Sequence, residues 1–225
     1  NHPQIYNKIV NNKYLIGTVD TWIVWNLTKG KIYSTDATNA SRTLLCDTKK
    51  ICWDQSLIEQ FQLKKIILPE IKKNYDDFGK VNKSYFGAEI DIKSTIGDQQ
   101  ASLFGNQCLN KGDLKITLGT GAFLWLNKGN KFSPKNNNGC LETLSWHFDK
   151  PVFASEGFVI MAGSLLDYFI NNLNYAKDFL HFEKIASKTK KNNVFIIPSL
   201  LGLGTPWWSS KSNGSIYGLD AKTTH

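Results

Sequence analysis

The chain has 225 residues, of which 41% are hydrophobic, and a formal net charge of +8. A chain of this length and hydrophobicity buries about 70% of its unfolded surface and forms one or two folded domains, so disorder is excluded. No apolar run approaches the roughly 20 residues that a membrane helix needs, so we expect a cytosolic protein without a membrane span.

The predicted elements of the first half alternate between strands and helices. Apolar residues at helical spacing predict the second helix, and Pro69 marks the boundary that follows it. The elements are a strand at 13–17, a helix at 18–30 with its N-cap at Thr18 or Asp20 and its stop at Gly30, a strand at 31–35, and a helix at 56–63.

The second half begins with a predicted hairpin at 113–129, in which Gly119, Thr120 and Gly121 join two apolar, β-rich runs. Residues 152–173 predict a strand followed by a long helix, residues 179–188 a further helix, and residues 193–200 a strand. The order indicates a mixed α/β fold with hairpins as well as crossovers.

The positive charge could indicate a nucleic-acid partner, because basic faces neutralise phosphates. Arg42 is the only arginine, the lysines are scattered, and no RNA-recognition or zinc-finger motif is present. We therefore expect no nucleic-acid partner, and we expect Arg42 to tie down a loop by hydrogen bonds.

The cysteines and histidines give no sign of a metal site. Cys46, Cys52, Cys108 and Cys140 form no CxxC pair, and the four histidines are not spaced as metal ligands. We expect reduced, structural thiols and no zinc.

The segment STIGDQQASLFG, residues 94–105, places an acid and two amides after a glycine. Gly97 allows a tight turn, and Asp98 then falls at the N-cap or in the first turn of a helix. A simple capping role is the commoner explanation of such an aspartate. Gln99 and Gln100, however, add the hydrogen-bonding groups that a site for a polyhydroxyl substrate needs.

Two glycine-rich segments are candidates for binding an anion or a nucleotide. In LGTGAF, residues 118–123, successive N–H groups can point at an anion and Thr120 can add a donor, although a plain tight turn explains the pattern as well and the lysine of a P-loop is missing. Gly163 comes just before a predicted helix, where it allows either the close approach of a base or ribose or close helix packing.

These segments together resemble the FGGY family of carbohydrate kinases and, within it, the glycerol kinases. GTVDTWIVWNLTKG, TDATNASRTLL, GDQQASLFGNQ, LGTGAFLWLNKG, EGFVIMAG and GLGTPWW occur in the order of the family's blocks and at nearly their spacing. The resemblance implies an α/β, actin-like (ribonuclease H-like) two-domain kinase fold, partial in both domains. Residues 1–107 would be the C-terminal part of the N-terminal, glycerol-binding domain, and residues 108–225 the first part of the C-terminal, nucleotide-binding domain.

The activity that the resemblance implies is the ATP-dependent phosphorylation of glycerol to sn-glycerol 3-phosphate, with Mg²⁺ as cofactor. Asp98 matches the catalytic carboxylate that accepts the proton of the attacking hydroxyl, and the magnesium of Mg-ATP would lie near it. Asp98, Gln99 and Phe123 would bind glycerol. The residues matched to nucleotide contacts are Gly119, Thr120, Gly121, Gly163, Leu166 and Asp167, and Asp167 stands where glutamine is usual.

The sequence starts with asparagine and stops at KTTH, so we expect it to lack both natural ends. The family's N-terminal phosphate loop and its later adenine loop have no counterpart here, which predicts little or no activity for the isolated chain. Two alternatives stay open: a sister kinase acting on a larger sugar or polyol, and a non-catalytic, actin-like ATP-binding module. Whether the chain forms a homo-oligomer is also open.

Overall fold

The structure, a computed structural model, describes residues 2–11, 13–134, 138–189, 193–221 and 223. These residues divide into two units. The first contains the residues up to 113 together with 127–132 and 143–154, and the second contains 114–126, 133–142 and the residues from 155 onward. Within the described ranges, no helix is long and apolar enough to cross a membrane.

Short helices are distributed along the whole described chain. The helices are α1 (Pro3–Val10), α2 (Val19–Leu27), α3 (Ala37–Ala40), α4 (Gln55–Gln60), α5 (Lys83–Phe86), α6 (Asp98–Gly105), α7 (Gly163–Asn171) and α8 (Phe179–Lys188). The predicted helix at 179–188 is therefore confirmed at both ends. Asp178 caps it by accepting the N–H of His181 at 2.7 Å.

Six short strands of the first unit pair two by two. β1 (Ser34–Asp36) runs parallel to β4 (Glu70–Lys72), and the other two pairs are antiparallel. Those pairs are β2 (Cys46–Asp47) with β3 (Cys52–Trp53), and β5 (Lys80–Val81) with β6 (Ile90–Asp91).

The largest sheet has four strands, in the order β7-β8-β10-β9. Its members are β7 (Leu114–Leu118), β8 (Ala122–Gly129), β9 (Leu141–His147) and β10 (Pro151–Val159). The predicted hairpin is confirmed, because β7 and β8 are antiparallel and Leu118 pairs with Ala122 across the three-residue turn. A separate antiparallel pair joins β11 (Phe195–Ile197) to β12 (Ser215–Tyr217).

The end of α2 shows why Gly30 was recognisable as a stop. The helix ends at Leu27, and Gly30 takes a positive φ of 80° while its N–H donates to the carbonyl of Trp25 at 2.7 Å. Glycine adopts this left-handed conformation without steric cost, so the chain can turn away at that point.

The apolar core of the first unit lies around Ala37, Leu144 and Phe153, all of them almost inaccessible to solvent. A polar layer accompanies it, in which Asp36, Thr38 and Asn74 are each 0% exposed. Buried polar groups need hydrogen-bond partners, and these three find them in one another, as described below.

Several predicted elements are wrong in type or in length. The strands predicted at 31–35 and 193–200 are present only as the three-residue β1 and β11. Residues 13–17 form no strand, and the carbonyl of Ile16 accepts the hydroxyl of Tyr33 at 2.5 Å instead of a strand partner. The predicted long helix after β10 is the nine-residue α7, and β9 was not predicted at all.

Candidate functional site

Asp98 opens α6, with Gly97 as the N-cap residue in an extended conformation at φ −63° and ψ 152°. The carboxylate therefore lies in the first turn, where the N-terminal end of a helix favours negative charge. One of its oxygens, Oδ1, accepts the N–H of Gln99 at 2.7 Å, and the residue is exposed. Asp98 thus presents an accessible carboxylate, one oxygen of which is held by a backbone N–H.

The two glutamines after Asp98 have different environments. Gln99 is partly exposed, whereas Gln100 is only 2% exposed and donates from Nε2 to the carbonyl of Leu144 at 3.3 Å. Our expectation that both amides serve a substrate is therefore wrong for Gln100. Its side chain packs under the helix start, where a Cβ on Gly97 would lie 2.5 Å from its Oε1.

A buried polar network, which the sequence did not reveal, leads to this helix start. The N–H of Gly97 donates to Thr38 Oγ1 at 2.8 Å, and the Thr38 hydroxyl in turn donates to Asp36 Oδ1. Asn74 Nδ2 donates to the same Asp36 oxygen at 2.7 Å and to the carbonyl of Thr95 at 2.9 Å. We call Asp36, Thr38, Asn74 and Thr95 the anchor network.

The central carboxylate of the anchor network is electrostatically costly. Burial raises the pKa of Asp36 above its ordinary value of 3.8, opposed by hydrogen bonds from Asn39 and Thr38 that lower it. The nearby carboxylate of Asp20 raises the pKa further. Desolvation disfavours the charged form, so the surrounding donors are needed to keep this group inside the unit.

In the second unit, the hairpin turn contacts the start of α7. The N–H of Gly163 donates to the carbonyl of Gly119 at 2.8 Å, and the N–H groups of Ala162 and Ser164 donate to the carbonyl of Thr120 at 2.8 and 3.1 Å. The hydroxyl of Ser164 donates to the same Thr120 carbonyl at 2.9 Å. Carbonyls of the turn thus satisfy the first N–H groups of the helix.

The N–H and hydroxyl donors of the turn take no part in these bonds to α7. Thr120 is exposed, and within the described ranges neither its N–H nor its hydroxyl has a hydrogen-bond partner. The neighbouring Gly119 N–H is used locally, since it donates to the carbonyl of Gly121 at 2.9 Å. Thr120 therefore has donors available to an anion.

Two glycines are required here by close backbone approach. A Cβ on Gly163 would lie 2.7 Å from the carbonyl oxygen of Gly119, and a Cβ on Gly121 would lie 2.6 Å from that of Val159. Real Cβ atoms do not approach backbone oxygens so closely. The close-packing explanation of Gly163 is thereby supported, and its assignment as a nucleotide contact stays a prediction.

The other residues assigned by resemblance are accessible to different degrees. Phe123 is partly buried and stacks on Phe158, with ring centroids 4.7 Å apart and an interplanar angle of 28°. Leu166 and Asp167 lie on α7 and are exposed. Asp98 and Gln99 belong to the first unit, whereas the hairpin turn at 119–121, Phe123 and the α7 residues belong to the second.

The described residues include no group of three or more His, Cys, Asp and Glu side chains that could hold a metal ion. A magnesium ion that arrives with nucleotide phosphates needs only one or two protein carboxylates. The exposed carboxylate of Asp98 fits that requirement.

Arg42 has the structural role that we expected. Its Nη1 donates to the hydroxyl of Thr143 in β9 at 3.2 Å, across 101 residues of sequence. This bond ties the loop that follows α3 to the four-stranded sheet.

Comparison with known protein families identifies the family to which this chain belongs. Residues 1–105 match the N-terminal domain, and residues 114–225 the C-terminal domain, of the FGGY family of carbohydrate kinases. The chain belongs to the FGGY family. The predicted domain boundary between residues 107 and 108 stays a prediction.

Among curated FGGY proteins, the glycerol kinase of Alkaliphilus metalliredigens is 40% identical over 223 residues, which are 97% of this chain and 44% of that protein. The chain thus spans less than half the length of this relative.

Solved FGGY structures give the same result for the fold. The glycerol kinase of Plasmodium falciparum, crystallised with ADP, has a TM-score of 0.89 and 36% identity over 99% of this chain and 45% of its own. A xylulose kinase from Lactobacillus acidophilus has a TM-score of 0.75 at 21% identity, over 89% of this chain and 41% of its own, and supports the fold alone. The predicted α/β, actin-like kinase fold is confirmed, with part of each domain represented.

Proposed function

We propose that this chain supplies the catalytic carboxylate and part of the nucleotide site of an ATP-dependent kinase that converts glycerol to sn-glycerol 3-phosphate. The observation that carries the proposal is the exposed carboxylate of Asp98 in the first turn of α6. The 40% identity to a glycerol kinase over 97% of the chain supports glycerol as the acceptor.

In this proposal, Asp98 accepts the proton of a primary hydroxyl of glycerol while the hydroxyl oxygen attacks the terminal phosphorus of ATP. The bond from that phosphorus to the bridging oxygen breaks, and ADP leaves. One carboxylate oxygen is held by the N–H of Gln99, and within the described ranges the other has no hydrogen-bond partner. That second oxygen is available to a hydroxyl, as a general base requires. Gln99 binds the remaining hydroxyls, and the ring of Phe123 contacts the glycerol carbons.

The hairpin turn of residues 119–121 serves the nucleotide. The N–H and hydroxyl of Thr120 donate to phosphate oxygens, and Gly119 and Gly121 allow the backbone to approach them. Gly163, Leu166 and Asp167 contact the rest of the nucleotide. Phosphoryl transfer needs mainly positioning and charge stabilisation, so this set requires no covalent nucleophile. A bound magnesium ion would neutralise phosphate charge near Asp98.

We infer the domain assignment from the same resemblance, with residues 1–107 in the glycerol-binding domain and residues 108–225 in the nucleotide-binding domain. We also propose a cytoplasmic site of action, where ATP is available. Asp167 adds a carboxylate beside the nucleotide, so we expect weaker ATP binding than with glutamine at this position.

The test is glycerol-dependent release of ADP from Mg-ATP, measured on two proteins. One is the 225-residue chain, and the other is a chimera in which this chain replaces the matching segment of the Plasmodium falciparum glycerol kinase, which it covers to 45%. We expect turnover by the chimera and little or none by the chain alone, since the chain spans less than half the length of these relatives.

The other outcomes are equally informative. A chimera that phosphorylates xylulose and not glycerol would identify a sister FGGY kinase. A chimera that binds ATP without turning over any polyol would identify a non-catalytic nucleotide-binding module.

A further inference from the structure

The three residues that precede the proposed catalytic carboxylate are held by side chains. Thr38 Oγ1 accepts the N–H of Gly97 at 2.8 Å, and the hydroxyl of Thr95 donates to Asp36 Oδ2 at 3.3 Å. Asn74 Nδ2 donates to the carbonyl of Thr95 at 2.9 Å. Both ends of the segment 95–97 are thus attached to the anchor network, and Asp98 is the next residue.

The polarity of this attachment is set by Asp36. A carboxylate only accepts hydrogen bonds, so the single hydroxyl hydrogen of Thr38 must point to Asp36 Oδ1. The Thr38 oxygen then acts as an acceptor, for the N–H of Gly97 at 2.8 Å and for Asn74 Nδ2 at 3.4 Å. Without Asp36 the hydroxyl could rotate, and the bond that holds the helix start would lose its direction.

Capping of α3 does not account for the whole arrangement. Asp36 Oδ1 caps this four-residue helix by accepting the N–H groups of Thr38 and Asn39, which a serine or asparagine could also do. The second oxygen, Oδ2, caps nothing and accepts from the side chains of Asn39 and Thr95. Burying a full charge is costly, so a carboxylate is expected only where both oxygens are needed.

We propose that Asp36 and Thr38 are positioning residues for catalysis, which hold the first turn of α6 so that the Asp98 carboxylate stays in place for the hydroxyl that it deprotonates. The inference rests on the proposed role of Asp98. Displacement of a catalytic group by about 1 Å costs on the order of a hundredfold in rate, so one lost anchor is expected to reach the chemistry.

Three substitutions separate positioning from mere folding. Thr38→Val keeps the shape and removes the acceptor for the Gly97 N–H, whereas Thr38→Ser keeps the hydroxyl. Thr28→Val is the matched control, because Thr28 is 2% exposed, donates to the carbonyl of Val24 and accepts the N–H of Ile32. The control therefore loses the same kind of buried hydroxyl without touching the segment before Asp98.

The kinetic measurement uses the chimera, with kcat, the KM for glycerol and the melting temperature recorded for each variant. We expect Thr38→Val to lower kcat between about 10-fold and 100-fold with a change in KM below about threefold, and Thr38→Ser to restore most of kcat. Thr28→Val should lower the melting temperature and leave kcat unchanged. Equal kcat in Thr38→Val and Thr28→Val would overturn the proposal.

A second variant covers the case in which Thr38→Val does not fold. Thr95→Val removes the hydroxyl bond to Asp36 at a partly exposed position and leaves the bond from Asn74 to the Thr95 carbonyl. We expect a several-fold fall in kcat with the KM for glycerol retained. An unchanged kcat for this variant would count against positioning by Asp36.

Hydrogen exchange on the 225-residue chain separates this inference from the proposed function. The amide of Gly97 should exchange faster in Thr38→Val than in the unmodified chain, and Thr28→Val should leave its rate unchanged. If the unmodified chimera phosphorylates no glycerol, the proposed function fails. The exchange experiment still tests whether Thr38 holds the amide of Gly97. Unchanged protection of Gly97 in Thr38→Val would refute the anchor itself.

Discussion

The backbone of Gly163 lies against the carbonyl oxygen of Gly119. Its N–H donates to that oxygen at 2.8 Å, and a Cβ at Gly163 would be 2.7 Å from the same atom. The steric limit requires glycine at this position, whereas the hydrogen bond needs only a backbone N–H.

The first prediction concerns this contact. Gly163→Ala should lower the free energy of unfolding by about 1–3 kcal/mol, because the added methyl group overpacks against a backbone atom that cannot move alone. Urea unfolding of the 225-residue chain measures the change. Since the contact also sets the position of the hairpin turn, the affinity for ATP, measured by calorimetry on the chimera, should fall as well.

Gly105, at the end of α6, is the matched control for this substitution. A Cβ there meets nothing within 4 Å, and its φ is not positive. Gly105→Ala should be neutral or stabilise by up to about 1 kcal/mol, since alanine restricts the unfolded chain. Equal effects of the two substitutions would show that the contact between Gly163 and Gly119 does not contribute to the free energy of unfolding.

The second prediction concerns the proposed general base. Asp98→Asn in the chimera should reduce kcat at least about a hundredfold and leave glycerol binding largely intact, because the amide still bonds a hydroxyl but cannot take its proton. Asp149→Asn, at an exposed carboxylate between β9 and β10, is the control and should retain kcat. Substantial activity in Asp98→Asn would exclude the assigned role.

The third prediction concerns thiol reactivity. Burial raises the pKa of Cys46 to about 12, with Cys52 and Asp47 adding to the rise. Only about one Cys46 thiol in ten thousand is then ionised at pH 8, and the thiolate is the reactive form. Iodoacetamide should modify the exposed Cys52 at least about a hundredfold faster than Cys46, as followed by peptide mass spectrometry. In guanidinium chloride the two rates should converge, and similar rates in the native chain would contradict the burial of Cys46.

The fourth prediction concerns the pH dependence of stability. Because the folded pKa of Asp36 is raised above 3.8, the native state keeps this proton to higher pH than the unfolded state does. The contribution of Asp36 to the free energy of unfolding must therefore be fully present below pH 3.8 and fall as the pH rises through the folded pKa. Urea unfolding of the chain and of Asp36→Asn, compared at several pH values, measures that difference.

Asp54, the N-cap of α4, provides a control of opposite sign. Hydrogen bonds from Ser56 and Leu57 lower its pKa, so its contribution is present above the unfolded pKa and lost as the pH falls. A difference for Asp36 that has the same sign as that for Asp54 would show that burial does not dominate the environment of Asp36.

The elements that could be predicted from the sequence are those with local signals. Gly97 before an acid gave the start of α6, and Gly119 and Gly121 between apolar runs gave the hairpin. Such turns are specified by a few neighbouring residues, so their location does not depend on the rest of the fold.

The errors have a common physical cause. Residues 13–17 are rich in apolar and aromatic side chains, but a strand needs a partner, and the carbonyl of Ile16 is taken by the hydroxyl of Tyr33. β9 buries the polar Thr143 and Ser145 as well as Leu144 and Trp146, so its burial depends on packing that the residue types do not indicate.

The anchor network shows the same limitation at the candidate site. Thr38 and Gly97 are 59 residues apart in sequence, so no local pattern joins them. The available signal was the polar stretch TDATN, which begins at Thr35 and continues into α3, where Asp36 in an N-cap position was recognisable. Its burial, and hence its second role, depends on packing.

The bonds between the hairpin turn and the start of α7 also affect how this enzyme family can be engineered. The carbonyls of Gly119 and Thr120 accept hydrogen bonds from Ala162, Gly163 and Ser164, more than forty positions further along the chain. Transplanting the turn alone from a relative would break a matched pair of surfaces. For the proposed nucleotide site, the smallest interchangeable module is therefore the turn together with the first residues of the helix.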